Sequence, residues 1–416
     1  VSKSSAAKVS VVVCTLDRSQ SLADTLDSLA QLQDLVVEVV VVAGPSQDAT
    51  NEVLDLWQGK IKIVHNDAAN LSASRNLGIA AAAGEFIAFL DDDAVADPWW
   101  LIDLIEVFED PEVMATGGPT RGPDGIGFQA VTSFSDRFGN ATAETLPSVD
   151  AAPYLCRPFA PRLAYPIGTN LIARRSALVA IGGFDEALAF YLDEVDLVFR
   201  LADRGGLVTV SPRGEVTHRF LPSTARNTAK IVTKRYDILR SRRYFAKRFA
   251  TDLYDEASIE DDFADFLKLQ RKELDELLAR GDIATAVRLQ FEEDVVRAEH
   301  DALELLQEPR QTQDRVFFSS PPDFLIFAES QNWPLRIVVG KDLDSSLSPE
   351  GVITEFITTD ANGARRVFEQ GHYISYLPGE RYLHELADRI EQLSAEHEVT
   401  LENLPSEVEQ FLSLRH

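Results

Sequence analysis

Three consecutive carboxylates, Asp91-Asp92-Asp93, close the apolar run 86–90. The run reads as a buried strand, and ligands of open α/β sheets bind beyond the carboxyl ends of the strands. Two carboxylates about 4 Å apart repel by roughly 4 kcal/mol at an effective dielectric of about 20. Full solvation, a bound proton or a divalent cation relieves that repulsion. All-oxygen ligands favour Mg2+ or Mn2+, and Mg2+ takes one or two carboxylates together with substrate phosphates. The alternative is a solvated acidic turn in which Asp93 or Asp97 caps a helix opening near Pro98.

A second acidic group, Asp193-Glu194-Val195-Asp196, falls at the start of a helical pattern. Asp193 and Asp196 are three apart, whereas Glu194 points about 100° away from Asp193, so the three cannot all face one substrate. Acids in a first turn also complement the helix dipole whatever else they do. Arg75 emerges one turn into the helix that Ser72 can cap, near a positive N-terminus suited to an anion. Thr15 and Asp17 end the first strand beside the expected ligand crevice. His218 follows the strand 208–210 and, alone, is as readily structural as a ligand.

Alternating strands and helices must position these residues. Apolar runs at 9–14, 36–42, 61–64 and 85–90 read as strands; helical spacing joins Leu22, Leu26 and Leu29, then Val53, Leu56 and Trp57. An alanine-rich helix over 72–83 stops at Gly84, and another helix runs over 98–108. Such alternation predicts a mostly parallel sheet flanked by helices. Residues 117–166 are Gly/Pro-rich and aromatic-dotted, which reads as functional loops with short strands. Further helices are expected over 176–181, 193–203 and, basic and amphipathic, 224–248. Two antiparallel helices hinged at Gly281-Asp282 follow, the first lined by Ile259, Phe263, Phe266 and Leu267, the second by Val287, Phe291, Val295 and Leu303. Strands at 335–339 and 373–377 and a helix over 383–393 make the last piece a small α/β segment.

The bulk numbers narrow the partners. The chain has 416 residues, 45% of them hydrophobic and 26% charged, enough for two or three domains of ordinary globular composition. A net charge of −27 argues against nonspecific nucleic-acid binding. Two cysteines, Cys14 and Cys156, make no disulfide framework, so a reduced, cytoplasmic compartment is expected. No run approaches the ~20 apolar residues of a membrane span, leaving peripheral contact as the expected mode. Residues 213–248 carry 11 Lys and Arg against two acids, whereas 252–308 carry 18 acids against six bases. That reversal sets the expected boundaries: 1–250, 251–308 and 309–416.

Four segments, VSVVVCTLDR (9–18), EVVVVAGPSQDAT (38–50), NLSASRNLGIAAAAGEFIAFLDDD (70–93) and GTNLIARRSALVAIGGFDEALAFYLDEVDLVFRL (168–201), resemble in order and separation the family 2 glycosyltransferases of GT-A fold. The resemblance covers about 9–248. It implies an inverting enzyme that moves a sugar from a nucleotide-diphosphate sugar to a hydroxyl of a glycan, polysaccharide or lipid-linked saccharide. Asp91-Asp92-Asp93 then matches the DxD motif. Asp93 is the direct ligand of Mn2+ or Mg2+, Asp91 or Asp92 reaches ribose or sugar or joins the metal through water, and His218 completes the metal site. Thr15 and Asp17 cradle base and ribose, and Arg75 helps hold the nucleotide.

The second member of the family's acidic pair is the general base, which maps to Glu194. The usual Glu-Asp order is reversed here, so Asp193 remains an alternative. The acid expected after the second strand is missing at Ala43-Gly44, which leaves the base open, with UDP-sugar first. Trp99, Trp100, Thr169 and Asn170 are expected acceptor walls. The basic stretch 219–248 would clamp a diphosphate or lie on anionic lipid at the inner face of the membrane, or would simply pair with the acidic helices that follow. Rivals are a degenerate sugar-nucleotide scaffold and a sugar-phosphate nucleotidylyltransferase, though the latter wants a Gly-rich loop that 14–18 lacks. Residues 309–416 faintly resemble part of a GT-B half-domain, and otherwise serve as an accessory or oligomerisation domain.

Overall fold

The first ninety residues fold as their periodicity predicts, into β1 (Lys8–Thr15), α1 (Ser19–Leu29), β2 (Val36–Ala43), α2 (Thr50–Leu56), β3 (Lys62–His65), α3 (Leu71–Ala81) and β4 (Phe86–Asp91). These come from a computed structural model that describes residues 8–30, 32, 35–97, 99–122, 128–144, 154–156, 159–223, 225–308, 323–327, five strands between 335 and 402, and residue 413. Period two divides each strand between two cores. Val9, Val11 and Val13 join one buried cluster and Val12 the other; Phe86, Ala88 and Leu90 part from Ile87 and Phe89 in the same way. A strand covered on both faces is apolar throughout, which is why these runs show no polar face. Gly78 lets α3 lie close on β1, since a Cβ there would stand 2.3 Å from Val12 Cγ1.

After β4 come β5 (Ala94–Ala96), α4 (Trp100–Ile105), β6 (Val113–Thr116), β7 (Thr120–Arg121), β8 (Phe128–Ala130), β9 (Thr132–Asp136), β10 (Ala141–Glu144), β11 (Tyr154–Cys156), β12 (Arg162–Tyr165), β13 (Leu171–Arg174), α5 (Arg175–Ala180), α6 (Asp193–Asp203), β14 (Leu207–Val210) and β15 (Val216–His218). The main sheet runs β11-β14-β6-β13-β4-β1-β2-β3. The pairs among β4, β1, β2 and β3 are parallel, as is β14 with β6, while β13 runs antiparallel to both β4 and β6. This is the mostly parallel sheet that the sequence predicts. A smaller sheet, β5-β15-β7-β8, pairs His218 with Ala94 and so carries the histidine to the Asp91–Asp93 turn.

Two helices begin later or end sooner than their spacing suggests. Only Trp100–Ile105 of the expected 98–108 helix is α-helical; a 3-10 turn, Glu106–Glu109, completes it. The basic helix starts not near 224 but at Tyr236, as α7 (Tyr236–Phe249). Local turns hold the preceding stretch, Arg226 N donating to Ser223 O and Ile231 N to Asn227 Oδ1.

α8 (Glu256–Arg280) and α9 (Thr285–Gln307) form the expected hairpin. Gly281 ends α8 at φ +79, with Gly281 N and Asp282 N closing on Leu278 O and Leu277 O. Leu239, Phe263, Leu267, Leu274, Leu277, Phe291 and Val295 fill its core; Leu303, expected inside, is exposed. The basic face of α7 meets the acidic face of α8. Arg242 pairs with Asp262 at 2.5 Å, Arg243 with Glu260 at 2.6 Å and Lys247 with Glu260 at 2.8 Å. Arg248 reaches the carbonyls of Leu305 and Glu308, and Arg240 pairs with Asp237. The cations expected on a membrane surface therefore bind the chain itself.

Beyond the hairpin, residues 323–327 return to the foot of the main sheet. Phe327 N donates to Val37 O, Phe327 stacks on Trp57 at 5.3 Å, and Leu325 N donates to Glu38 Oε1. Glu38, the one acid inside β2, is fully buried and pairs with Lys62 at 2.5 Å. Five strands complete the description: β16 (Leu335–Val339), β17 (Ile353–Thr359), β18 (Arg365–Glu369), β19 (His372–Tyr376) and β20 (Val399–Glu402). They pair antiparallel throughout, in the order β19-β18-β17-β16-β20. That corrects the GT-B comparison, which needs parallel strands and a helix where β18 and β19 pair. The expected 383–393 helix lies outside the described residues.

Candidate active site

The carboxylate triplet sits where β4 leaves the sheet, and its members have different partners. Asp91 is half-buried: its backbone N–H donates to Thr169 Oγ1 at 3.2 Å, and its Oδ1 accepts from Arg75 at 3.3 Å. Asp92 is buried and accepts from Arg18 at 3.0 Å. Asp93, also buried, holds Arg18 at 2.7 Å and the Leu221 N–H at 2.8 Å on Oδ2, while Oδ1 faces His218 Nε2 at 3.1 Å. These contacts pull two neighbouring acids apart. Burial pushes Asp92 up to about 7 despite the Arg18 charge, whereas in Asp93 the hydrogen bond and charge of His218, with Arg18, overcome burial and hold it well below the usual carboxylate range.

Asp91, Asp93 and His218 fit a divalent cation. Their ligand atoms all lie within 4.8 Å of one another. His218 Nδ1 lies 2.9 Å from Gln129 Oε1, while its Nε2 lies 3.1 Å from Asp93 Oδ1. A second hydrogen bond that orients the ring is usual for metal-binding histidines. Two carboxylates and an imidazole suit Mn2+, or Mg2+ with further oxygens.

Arg75 joins this cluster to the second acidic group. Its guanidinium is buried against Phe184 at 5.3 Å, with one nitrogen on Asp91 and the other bonded to Asp193. Gly168 makes room for it, since a Cβ there would stand 2.8 Å from Arg75 Nη2. Arg75 thus holds two carboxylates together. Asn70, not Ser72, caps α3, accepting from Ala73 N at 3.0 Å, and the Ser72 hydroxyl bonds to Leu188 O at 2.5 Å instead.

Asp193 and Glu194 open α6 after two residues in the left-handed region, Tyr191 (φ +74) and Leu192 (φ +65). Such backbone in bulky residues costs about 1–3 kcal/mol each and persists only where its surroundings enforce it. Asp193 is buried on Arg75; Glu194 is half-buried beside it. Burial first, and the Asp193 charge second, raise Glu194 well above the usual carboxylate range. Asp196 turns inward to Arg200 at 2.5 Å, as the helical angles predict.

At the crevice mouth, Thr15 is buried at the end of β1. Asp17, exposed at φ +53, accepts from Gln47 N at 2.6 Å, tying the turn after β1 to the one after β2. Two expected acceptor walls prove to be core. Trp100 is fully buried, its Nε1 donating to Asn170 Oδ1 at 2.7 Å, and Asn170 Nδ2 donates to Pro119 O and Gly214 O at 2.9 Å each. Thr169 is buried as well and serves the Asp91 backbone; Trp99 alone of the four is partly exposed. Sequence reasoning missed Arg18 and Gln129, whose roles arise from contacts 74 and 89 residues away.

A carboxylate–imidazole corner at a strand end is thus joined through Arg75 to an acidic helix start. Residues 10–180 match the family described as Glycosyl transferase family 2. A glucosyl-dolichyl phosphate glucuronosyltransferase of Haloferax volcanii is 35% identical over 125 residues, 29% of this chain and 40% of its own. An N-acetylglucosaminyl-diphospho-decaprenol L-rhamnosyltransferase of Mycobacterium tuberculosis is 28% identical over 257 residues, 53% of this chain and 78% of its own. The chain spans less than half the length of the Haloferax protein and of several other curated relatives. Among solved structures, a mannosyltransferase of Pyrobaculum calidifontis with GDP-Man and Mn2+ superposes at TM-score 0.43 and 15% identity, over 72% of this chain and 88% of its own. So slight a likeness carries nothing about substrate. Among the described residues, no helix is long and apolar enough to cross a membrane.

Proposed function

We propose that this chain is an inverting, metal-dependent glycosyltransferase that moves a sugar from a nucleotide-diphosphate sugar to an acceptor hydroxyl. One observation carries the choice of base: Arg75 occupies Asp193, leaving Glu194 as the acid of the pair without that guanidinium. Asp91, Asp93 and His218 would hold the cation. When bound, it neutralises charge developing on the departing diphosphate. Glu194 takes the acceptor proton as the acceptor oxygen bonds to the anomeric carbon and the diphosphate leaves from the opposite face. A hydroxyl is too weak an acid to react otherwise, and a base raised towards neutral pH is matched to that work. Arg75 pairs with Asp193 and fixes the start of α6 against the triplet.

UDP-sugar remains the first donor to test, although the missing acid at 43–44 leaves the base open. Relatives named for dolichyl phosphate and diphospho-decaprenol substrates support a lipid-linked acceptor. That would bring a chain without a described membrane span to the cytoplasmic membrane face by its substrate rather than by its basic helix. Glu194→Gln tests the base. Transfer should vanish while UDP-sugar binding, followed by thermal shift with Mn2+, stays near wild type. Full activity in that variant rejects Glu194, and inactivity of the wild type with every UDP-, GDP- and dTDP-sugar favours a scaffold.

A further inference from the structure

Arg18 is the cation nearest the triplet, yet it lies outside both acidic motifs. One nitrogen bridges Asp92 Oδ1 and Asp93 Oδ2 at 3.0 and 2.7 Å; another reaches the carbonyls of Leu221 and Pro222 at 3.4 and 3.3 Å. Asp93 Oδ2 also accepts the Leu221 N–H. Arg18, Asp93 and the 221–222 backbone therefore form one closed set of contacts. That backbone belongs to a strained corner: Phe220, at φ +54, stacks on His218 at 4.4 Å, and Arg226 lies over the Phe220 ring at 4.9 Å. His218, Asp93 and Arg18 are thus linked through the segment 218–226 as well as directly.

We propose that Arg18 is a positioning residue that exchanges counter-ions. It neutralises Asp92 and Asp93 until a divalent cation binds Asp91, Asp93 and His218. It then gives up Asp93 and offers its guanidinium to the donor diphosphate. The proposal rests on the reading of those three residues as the cation-holding group. Two arguments support the exchange. A divalent cation on Asp93 and a guanidinium on the same carboxylate are like charges within a few ångströms, so they compete. A guanidinium also matches the forked geometry of phosphate oxygens, and the side chain starts at the turn that follows β1. The cation and the donor would then bind in linked order, the first freeing the residue that holds the second.

The test measures binding rather than turnover. Mn2+ alone is titrated into wild type, Arg18→Ala and Arg18→Lys, with free Mn2+ followed by electron paramagnetic resonance; UDP is then titrated at saturating Mn2+. Arg18→Ala should bind Mn2+ at least tenfold more tightly and UDP at least tenfold more weakly, with Arg18→Lys between. Unchanged or weaker Mn2+ binding in Arg18→Ala overturns the exchange, while absence of Mn2+ binding in wild type overturns the cation site itself. A measurement on wild type covers the case in which Arg18→Ala does not fold. Mn2+ alone should speed hydrogen exchange of the Leu221 amide, because Asp93 Oδ2 releases it; unchanged or slower exchange there also overturns the proposal.

Discussion

Two charged networks lie within the same chain, and they are built on opposite plans. Along the α7–α8 seam each cation has an acidic partner: Arg242 on Asp262, Arg243 and Lys247 on Glu260, Arg235 on Glu273. The hydrogen bond from Arg243 comes first among the causes that hold Glu260 below the usual carboxylate range, as a satisfied pair should be. At the cleft, five acids, Asp91, Asp92, Asp93, Asp193 and Glu194, share Arg18, Arg75 and His218. The shortfall appears as divergence: Asp92 and Glu194 are pushed up and Asp93 down. Acids with environments this unequal can hold a cation, stay ionised or take a proton in turn. Matched charge builds structure, and mismatched charge leaves room for chemistry.

The largest test of this contrast is at Glu194. Glu194→Gln should lower kcat by about 10²–10⁴-fold, the usual contribution of a positioned base, with melting temperature near wild type. Asp193→Asn should instead weaken donor binding and stability together, because it frees one side of Arg75. On the seam the sign of the effect reverses. Arg242→Ala takes the cation from Asp262 in a part-buried contact and should cost about 1–3 kcal/mol in chemical denaturation, with Mn2+ affinity of the folded fraction unchanged. A loss of Mn2+ affinity there would break the division between the networks.

A smaller effect concerns pH. Because Glu194 is raised and acts ionised, kcat should climb through the neutral range as the base loses its proton. A profile already flat from pH 5 upward would place the base elsewhere. Smallest of all, Lys247→Ala should change stability by less than about 1 kcal/mol, since its partners Glu256 and Glu260 are largely in solvent.

What the sequence discloses follows range. The four parallel strands, the triplet at the end of β4 and the order of the acidic pair rest on period two, period 3.6 and local spacing, and all are present. Trp100 looks like an acceptor wall in sequence because a tryptophan beside a site has the right chemistry; its burial depends on Asn170, seventy residues on. Arg18 was hidden for the same reason. The start of α7 was misplaced because 224–235 has helix-compatible residues, while its turns arise from Asn227 and Ser223 side chains and carbonyls. The basic face of α7 signalled a partner correctly, and only the fold shows that the partner is α8.

Phe327 and Leu325 grip β2 at Val37 and Glu38, near its first residue, whereas the cleft lies past its last, Ala43. At about 3.3 Å per residue, those attachments stand roughly 20 Å from the chemistry. Phe327 therefore sits at the sole of the domain. A reporter or surface linkage attached at that grip would start with its back to the cleft.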